Sequence, residues 1–182
     1  MHPWKAPGPD DFPLGFFQTQ WGTTKEDVIQ MIQSLFTSGR MLRKMNKTNL
    51  CLIPNIQLPQ APGDYMPIDL CNTTYKLITK IMAMRLKPLM NKLISPMQAS
   101  YVPGRQIGDN ITLAHELIHW MKRKKTKMGY MESKLDMFNA FDQVEWSFLP
   151  KVMETFGFAD HFCDLIHECI STKKIQIMLN GS

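Results

Sequence analysis

No stretch of the 182 residues approaches the ~20 consecutive apolar residues that a membrane-spanning helix needs, so no role within a membrane is expected. The opening "MHPWKAPGPDD" is polar and proline-rich and lacks the basic flank and apolar centre of a secretory signal. The four cysteines, Cys51, Cys71, Cys163 and Cys169, form no CxxC pair. They are expected to be reduced thiols of an intracellular protein, nuclear or cytoplasmic, rather than a disulfide framework. Internal repeats are missing, as is any linker that would divide the chain into two domains. Acidic residues are fewer than basic ones, 16 against 21, which leaves a formal charge of +5 and a sequence pI near 9.0. That excess favours an anionic partner, nucleic acid first, but is too modest to decide the matter. What is present is ordinary for a globular chain with a core: 44% hydrophobic and 20% charged residues. Fifteen methionines suit irregular core gaps.

The chain reads as α+β, helix-rich with a small sheet. Residues 1–22, with "HPWKAPGPDDFPLG", predict an irregular arm. Thr24 offers an N-cap for a helix with apolar residues at Val28, Met31, Ile32 and Leu35, ended by Gly39. "NLCLIP" (49–54) predicts a strand stopped by Pro54, with a return strand near 66–70. Residues 72–94 predict a long helix opened by Asn72 or Thr73 and bent or split at Pro88. A helix is expected over 110–124, a buried strand in "YMESKLDM", helices near 146–156 and 160–171, and a last strand "KIQIM" running into Asn180-Gly181, a strong hairpin signal. Trp120, Trp146, Phe156 and Phe158 are expected in the core.

Three patterns carry chemistry. In "KLDMFNAFDQVEW" (134–146) Asp136 closes an apolar run and Phe141 precedes Asp142. The first aspartate is either a metal ligand for phosphoryl transfer or an ordinary strand end, and Asp142 suits a helix N-cap. "HELIH" matches the zinc-peptidase pattern. On a helix His115 and His119 share a face and Glu116 would be the general base, but a catalytic zinc needs a third protein ligand. Basic residues form a run at Lys122, Arg123, Lys124, Lys125 and Lys127, and a stripe at Lys76, Lys80 and Lys87. Each is either a phosphate-contacting surface or the solvated face of an amphipathic helix.

Six blocks occur in one order: "KAPGPDDFPLGFF", "LIPN", "PIDLCNTTYKLITKIMAMRLKP", "ISPMQASYVPGRQIGDNI", "KLDMFNAFDQVEW" and "NGS". Together they resemble the reverse transcriptase of LINE-type (non-LTR) retrotransposons, over nearly the whole chain. The resemblance implies a partial right-hand polymerase fold with an incomplete antiparallel sheet: fingers over about 23–128, early palm over about 129–182. It implies RNA-directed DNA synthesis with Mg²⁺, an RNA template, a DNA primer and deoxynucleoside triphosphates. Asp136 and the main-chain carbonyl of Met137 would hold the metal, Phe141 would exclude a ribose 2′-hydroxyl, and Asp142 would be structural. Arg105 beside Gly104, with Lys76 and Lys80, would lie near nucleic acid.

The chain departs from that family at several points. Asn55 and Met66 stand where the family has a lysine and an arginine aimed at the triphosphate. Losing such charge-assisted contacts costs roughly 1.5–3 kcal/mol each. Asp69 replaces a common serine, and Asp10-Asp11 an Asp-Gly. The later "RQGDPLSP" block and the palm turn bearing two adjacent aspartates do not occur within these residues, whose Asp-Asp pair is the Asp10-Asp11 of the N-terminal arm. One carboxylate cannot hold two Mg²⁺ ions against their repulsion, so the 182 residues alone are expected to be inactive. Bound nucleic acid without synthesis is the alternative function. An unpaired edge on "KIQIM" would favour self-association.

Overall fold

The computed structural model describes residues 2–124, 129–133 and 143–178. Seven α-helices and three strands lie among them: α1 (Leu14–Thr19), α2 (Trp21–Ser38), β1 (Lys47–Pro54), β2 (Tyr65–Cys71), α3 (Thr73–Leu86), α4 (Met90–Leu93), α5 (Ile107–Arg123), α6 (Phe148–Thr155), α7 (Asp160–Ser171) and β3 (Lys174–Met178). Two compact units result, one of residues 1–81 with 145–182 and one of residues 82–144.

In the first unit β1 is the central strand of the order β2-β1-β3. It pairs antiparallel with β2, Thr48 facing Cys71 and Pro54 facing Tyr65, and parallel with β3, Lys47 facing Lys174 and Cys51 facing Met178. The sheet is therefore mixed, not purely antiparallel as expected. β1 reaches β2 through a short loop, whereas the path to β3 runs through several helices, which permits a parallel return. The buried part of the sheet is its base, where Thr48 is fully buried. Also buried in this unit are Val28 and Leu35 of α2, Ile78 of α3, Met153 of α6, and Cys163, Leu165 and Cys169 of α7.

Several side-chain bonds hold this base. Asn46, 1% exposed, donates from Nδ2 to the Cys169 carbonyl at 3.1 Å and to Thr172 Oγ1 at 2.8 Å. Its main-chain carbonyl accepts the Lys174 N–H at 2.9 Å. Asn46 thus satisfies a carbonyl left over at the end of α7 and seats the first residue of β3. Asn72 donates to the Lys44 carbonyl at 2.9 Å and accepts the Asp10 N–H at 3.2 Å. Thr73 Oγ1 donates to the Phe12 carbonyl at 2.7 Å. Burial pushes the Tyr75 hydroxyl, which donates to the Cys169 carbonyl, up to about 12 and the Cys169 thiol up to about 11.

The arm of residues 1–22 is corrected in its second half, because α1 and the first turn of α2 lie there. Rings of Phe12, Phe16 and Phe17 pack with centroids 4.8–6.3 Å apart and give this segment its own apolar cluster. Thr24 is not the N-cap of α2. Gln20 holds that position, and the Thr24 hydroxyl donates back to the Gln20 carbonyl at 3.0 Å inside the helix. Gly39 ends α2 in the left-handed region at φ 70°, as its position predicts.

In the second unit a 3-10 turn at Lys87–Leu89 interrupts the helix begun by α3, at the expected Pro88, and α4 follows. Residues 129–133 form no strand, and the rest of the expected "YMESKLDM" strand lies outside the described residues, as does Asn180-Gly181. Trp120, Trp146 and Phe156 are exposed rather than in the core. On α5 the Trp120 ring meets Tyr130 edge-on at 5.1 Å, with Lys124 Nζ 5.0 Å from its centre.

Two glycines test the packing. A Cβ at Gly8 would lie 2.4 Å from the Asn72 nitrogen and 2.5 Å from the Cys71 carbonyl carbon, both main chain, whereas one at Gly22 meets nothing within 4 Å. Gly8→Ala is expected to cost about 1–3 kcal/mol, and Gly22→Ala, inside α2, to gain roughly 0.5–1 kcal/mol. Urea denaturation of the two variants checks both signs.

Candidate nucleotide and nucleic-acid site

β1 and β2 are longer than the part of the sheet that β3 covers. β3 reaches only to Cys51, so Leu52–Pro54 of β1 pair with β2 alone. The hairpin therefore projects from a buried base, and burial along β1 falls towards Pro54. Its loop is closed by the Asn55 N–H donating to the Asp64 carbonyl at 2.8 Å. Asp64 Oδ2 accepts the N–H groups of Ala61 and Gln60, each at 2.9 Å, and these bonds hold its carboxyl below the usual aspartate range.

Asn55 and Met66 come together at this projecting end. Asn55 follows β1 directly, and Met66 stands opposite Ile53. Both are exposed. Asn55 offers an uncharged amide, and Met66 offers no donor. Ile53, Ile56 and Leu58 around them are also exposed, so the hairpin end is apolar rather than cationic. Asp69 lies on β2 nearer the base and is ion-paired with Lys173, so its charge is locally balanced instead of standing open. Sequence reading missed this pair. The two residues are 104 positions apart, and only the pairing of β1 with both neighbours brings them together.

Lys76 and Lys80 both lie on α3, but their surroundings differ. Lys76 Nζ donates to the Ala6 carbonyl at 3.3 Å and so helps to hold the N-terminal arm. Lys80 is exposed. Lys87 is in the 3-10 turn and is exposed too.

Arg105, in the second unit, has an internal task. Its guanidinium donates to the carbonyl of Ser95, to that of Gln98 at 2.6 Å and to that of Ile94 at 3.1 Å. These are carbonyls at and just past the C-terminal end of α4, where a cation is favoured. The fork gathers the loop that leads to α5. Gly104 has φ 80° and nothing near its absent side chain, so it serves the turn rather than a close backbone approach.

His115, Glu116 and His119 are exposed on α5. Among the described residues no group of three His, Cys, Asp or Glu side chains is placed to hold a metal ion. Asp136, Met137, Phe141 and Asp142 lie outside the described residues, as do Lys125 and Lys127. No helix among the described residues is long and apolar enough to cross a membrane.

Comparison with known proteins adds what the geometry lacks. The family described as "Reverse transcriptase (RNA-dependent DNA polymerase)" matches residues 29–182. The chain belongs to the reverse transcriptase family. It is also similar to "Transposon TX1 uncharacterized 149 kDa protein" of Xenopus laevis, with 28% identity over 178 residues, 98% of this chain. The chain spans 14% of the length of that relative. The non-LTR retrotransposon reverse transcriptase expected from the six sequence blocks is thus the kind of protein that the comparisons support.

Within this reverse transcriptase chain the Arg105 fork makes a discriminating prediction. Arg105→Lys keeps the charge but replaces the planar fork, whose two terminal nitrogens reach the three carbonyls, with a single nitrogen. It is expected to cost about 1–2 kcal/mol and to speed proteolysis within residues 95–104, read by limited digestion and mass spectrometry. A residue serving only as a cationic contact to nucleic acid would leave the digestion pattern unchanged.

Proposed function

We propose that these residues supply the fingers, about 23–128, and the first part of the palm, about 129–182, of a right-hand polymerase that copies the RNA of a LINE-type retrotransposon into DNA. The family match that runs from residue 29 to residue 182 carries this reading, because it embraces both the hairpin and the "KLDMFNAFDQVEW" segment. On this reading the Asp136 carboxylate and the Met137 main-chain carbonyl are the chain's contribution to Mg²⁺ binding. The ion, when bound, stabilises charge on the reacting phosphate oxygens. Phe141 excludes a ribose 2′-hydroxyl and so selects deoxynucleotides, while Asp142 caps the following segment. Arg105 positions the loop of residues 95–104 near the template. The RNA template, the DNA primer and the incoming triphosphate are the partners.

The hairpin qualifies the reading. Asn55 and Met66 give its end no charge with which to grip a triphosphate, which favours a chain that holds nucleic acid better than nucleotide. Non-catalytic nucleic-acid binding by the 182 residues is accordingly the second reading. Synthesis requires the primer hydroxyl and the α-phosphate to be held together with two metal ions, and Asp136 by itself does not place both.

Primer extension on an RNA template with Mg²⁺ separates the possibilities. The 182-residue chain is expected to show no extension. Joined in frame to a family palm segment bearing paired aspartates, it is expected to extend the primer, with at least a hundredfold loss in Asp136→Asn. In the joined protein, Asn55→Lys with Met66→Arg is expected to lower the triphosphate KM by roughly tenfold or more, since each restored contact is worth roughly 1.5–3 kcal/mol. Extension that is indifferent to Asp136→Asn would overturn the assignment of Asp136.

A further inference from the structure

A basic surface lies in the first unit, away from the apolar hairpin end. Arg40 and Arg43 come from the segment between α2 and β1. Ser171, Thr172, Lys173 and Lys174 come from the end of α7 and the start of β3. They line a groove of about 680 Å³, together with Met41 and Glu168.

The groove is a fixed junction of two segments far apart in sequence. The Met41 N–H donates to Glu168 Oε1 at 3.1 Å, and Asn46 ties the same segment to Cys169, Thr172 and Lys174. Met41 is buried beneath it. The groove's polar groups divide sharply. The Thr172 hydroxyl donates to the Glu168 carbonyl at 2.6 Å and the Ser171 hydroxyl to the His167 carbonyl at 2.7 Å, so both are used internally. Lys173 is paired with Asp69. The side chains of Arg40, Arg43 and Lys174 are exposed, with no ion-pair partner among the described residues. Glu168 is the opposing charge in the groove, and one of its oxygens is already occupied by Met41.

Three unpaired cations facing one engaged carboxylate on a fixed floor suit a polyanion, not a single small anion. Two guanidinium forks match phosphate oxygens in geometry as well as charge. No exposed aromatic ring lines the groove, so base stacking has no platform and the contact is to the backbone alone. We propose that Arg40, Arg43 and Lys174 form a sequence-independent binding track for the phosphodiester backbone of single-stranded RNA, at the base of the sheet rather than at the hairpin end. This rests on the reverse transcriptase reading for its choice of RNA. The basic junction itself stands on the geometry.

Fluorescence-anisotropy titration of the whole chain with a labelled 16-nucleotide oligouridylate, from 50 to 200 mM salt, tests the proposal. Each phosphate contact on a single strand contributes about −0.7 to the slope of log affinity against log salt. Arg40→Gln/Arg43→Gln/Lys174→Gln is therefore expected to flatten the slope by about 2, and to shrink the affinity loss over that range by roughly tenfold to twentyfold. Arg40→Lys/Arg43→Lys/Lys174→Arg keeps the charges and is expected to retain the slope, which separates lost contacts from lost folding. Lys25→Gln/Lys92→Gln/Lys151→Gln removes the same charge from exposed sites elsewhere and is expected to leave the slope nearly unchanged. Equal flattening by both neutral triples would reduce the effect to net charge and overturn the track. So would no binding by the parent chain at 50 mM salt. Displacement of the RNA by millimolar inorganic phosphate would mark a single-anion site and would also overturn it. The reverse transcriptase reading is tested apart, since the Asp136→Asn comparison in the extension assay keeps these three residues unchanged on both sides.

Discussion

The side-chain amide of Asn46 is the contact on which the first unit depends. It is almost completely buried, and both of its hydrogens are used, one on the last turn of α7 and one on Thr172 just beyond it. Its main-chain carbonyl receives the first N–H of β3. A helix end and a strand start are thereby fixed against the residue that precedes β1. Asn46 Oδ1 is buried without a hydrogen-bond partner among the described residues, so the position gives up one acceptor to hold two elements. The residue is therefore costly as well as necessary: an apolar side chain would avoid the orphaned oxygen but would abandon the Cys169 carbonyl and Thr172.

From that junction the surface features follow. Because β3 begins at Lys174 and ends at Met178, it covers only the base of β1, and the end of the hairpin stands clear. The same junction brings Lys173 to Asp69 and sets Lys174 beside Arg40 and Arg43. The chain consequently presents two unlike surfaces. The hairpin end is apolar and carries Asn55 and Met66, whereas the groove at the base is cationic. In a protein of the reverse transcriptase family, this shifts the expected attraction for phosphate from the hairpin end towards the base of the sheet.

Much of the secondary structure was legible in the sequence, for reasons that differ by element. α7 was readable because its apolar positions recur at helical spacing, and the α2 end because Gly39 supplies a left-handed residue. The split at Pro88 follows from a missing N–H and a steric clash. The start of α2 was misread because a threonine hydroxyl bonds equally well back to the preceding turn as forward to a cap. The parallel pairing of β3 was not readable, since periodicity says nothing of direction, and the Lys174 N–H finds its acceptor in a main-chain carbonyl 128 positions earlier. Exposed Trp120 and Phe156 show that aromatic rings on amphipathic helices do not report burial by type alone. In the candidate site, motif reading singled out Asn55, Met66 and Arg105. It did not foresee that the Arg105 fork is spent on carbonyls, nor that Arg40 and Arg43 meet Lys174, because both outcomes arise from contacts distant in sequence.

Native-state hydrogen exchange of Asn46→Ala tests the central claim most directly. The variant keeps the main-chain carbonyl that accepts the Lys174 N–H and loses only the side-chain bonds to the Cys169 carbonyl and Thr172. If those bonds fix the α7 end from which β3 starts, the amide protons of Lys174–Met178 should lose protection roughly tenfold or more relative to the parent chain, the equivalent of about 1.5 kcal/mol for a buried hydrogen-bonding partner removed. The protons of α2 around Val28 and Leu35 should change less. Unchanged protection across Lys174–Met178, with α2 equally unchanged, would contradict the account and show that β3 is held by its ladder with β1 alone.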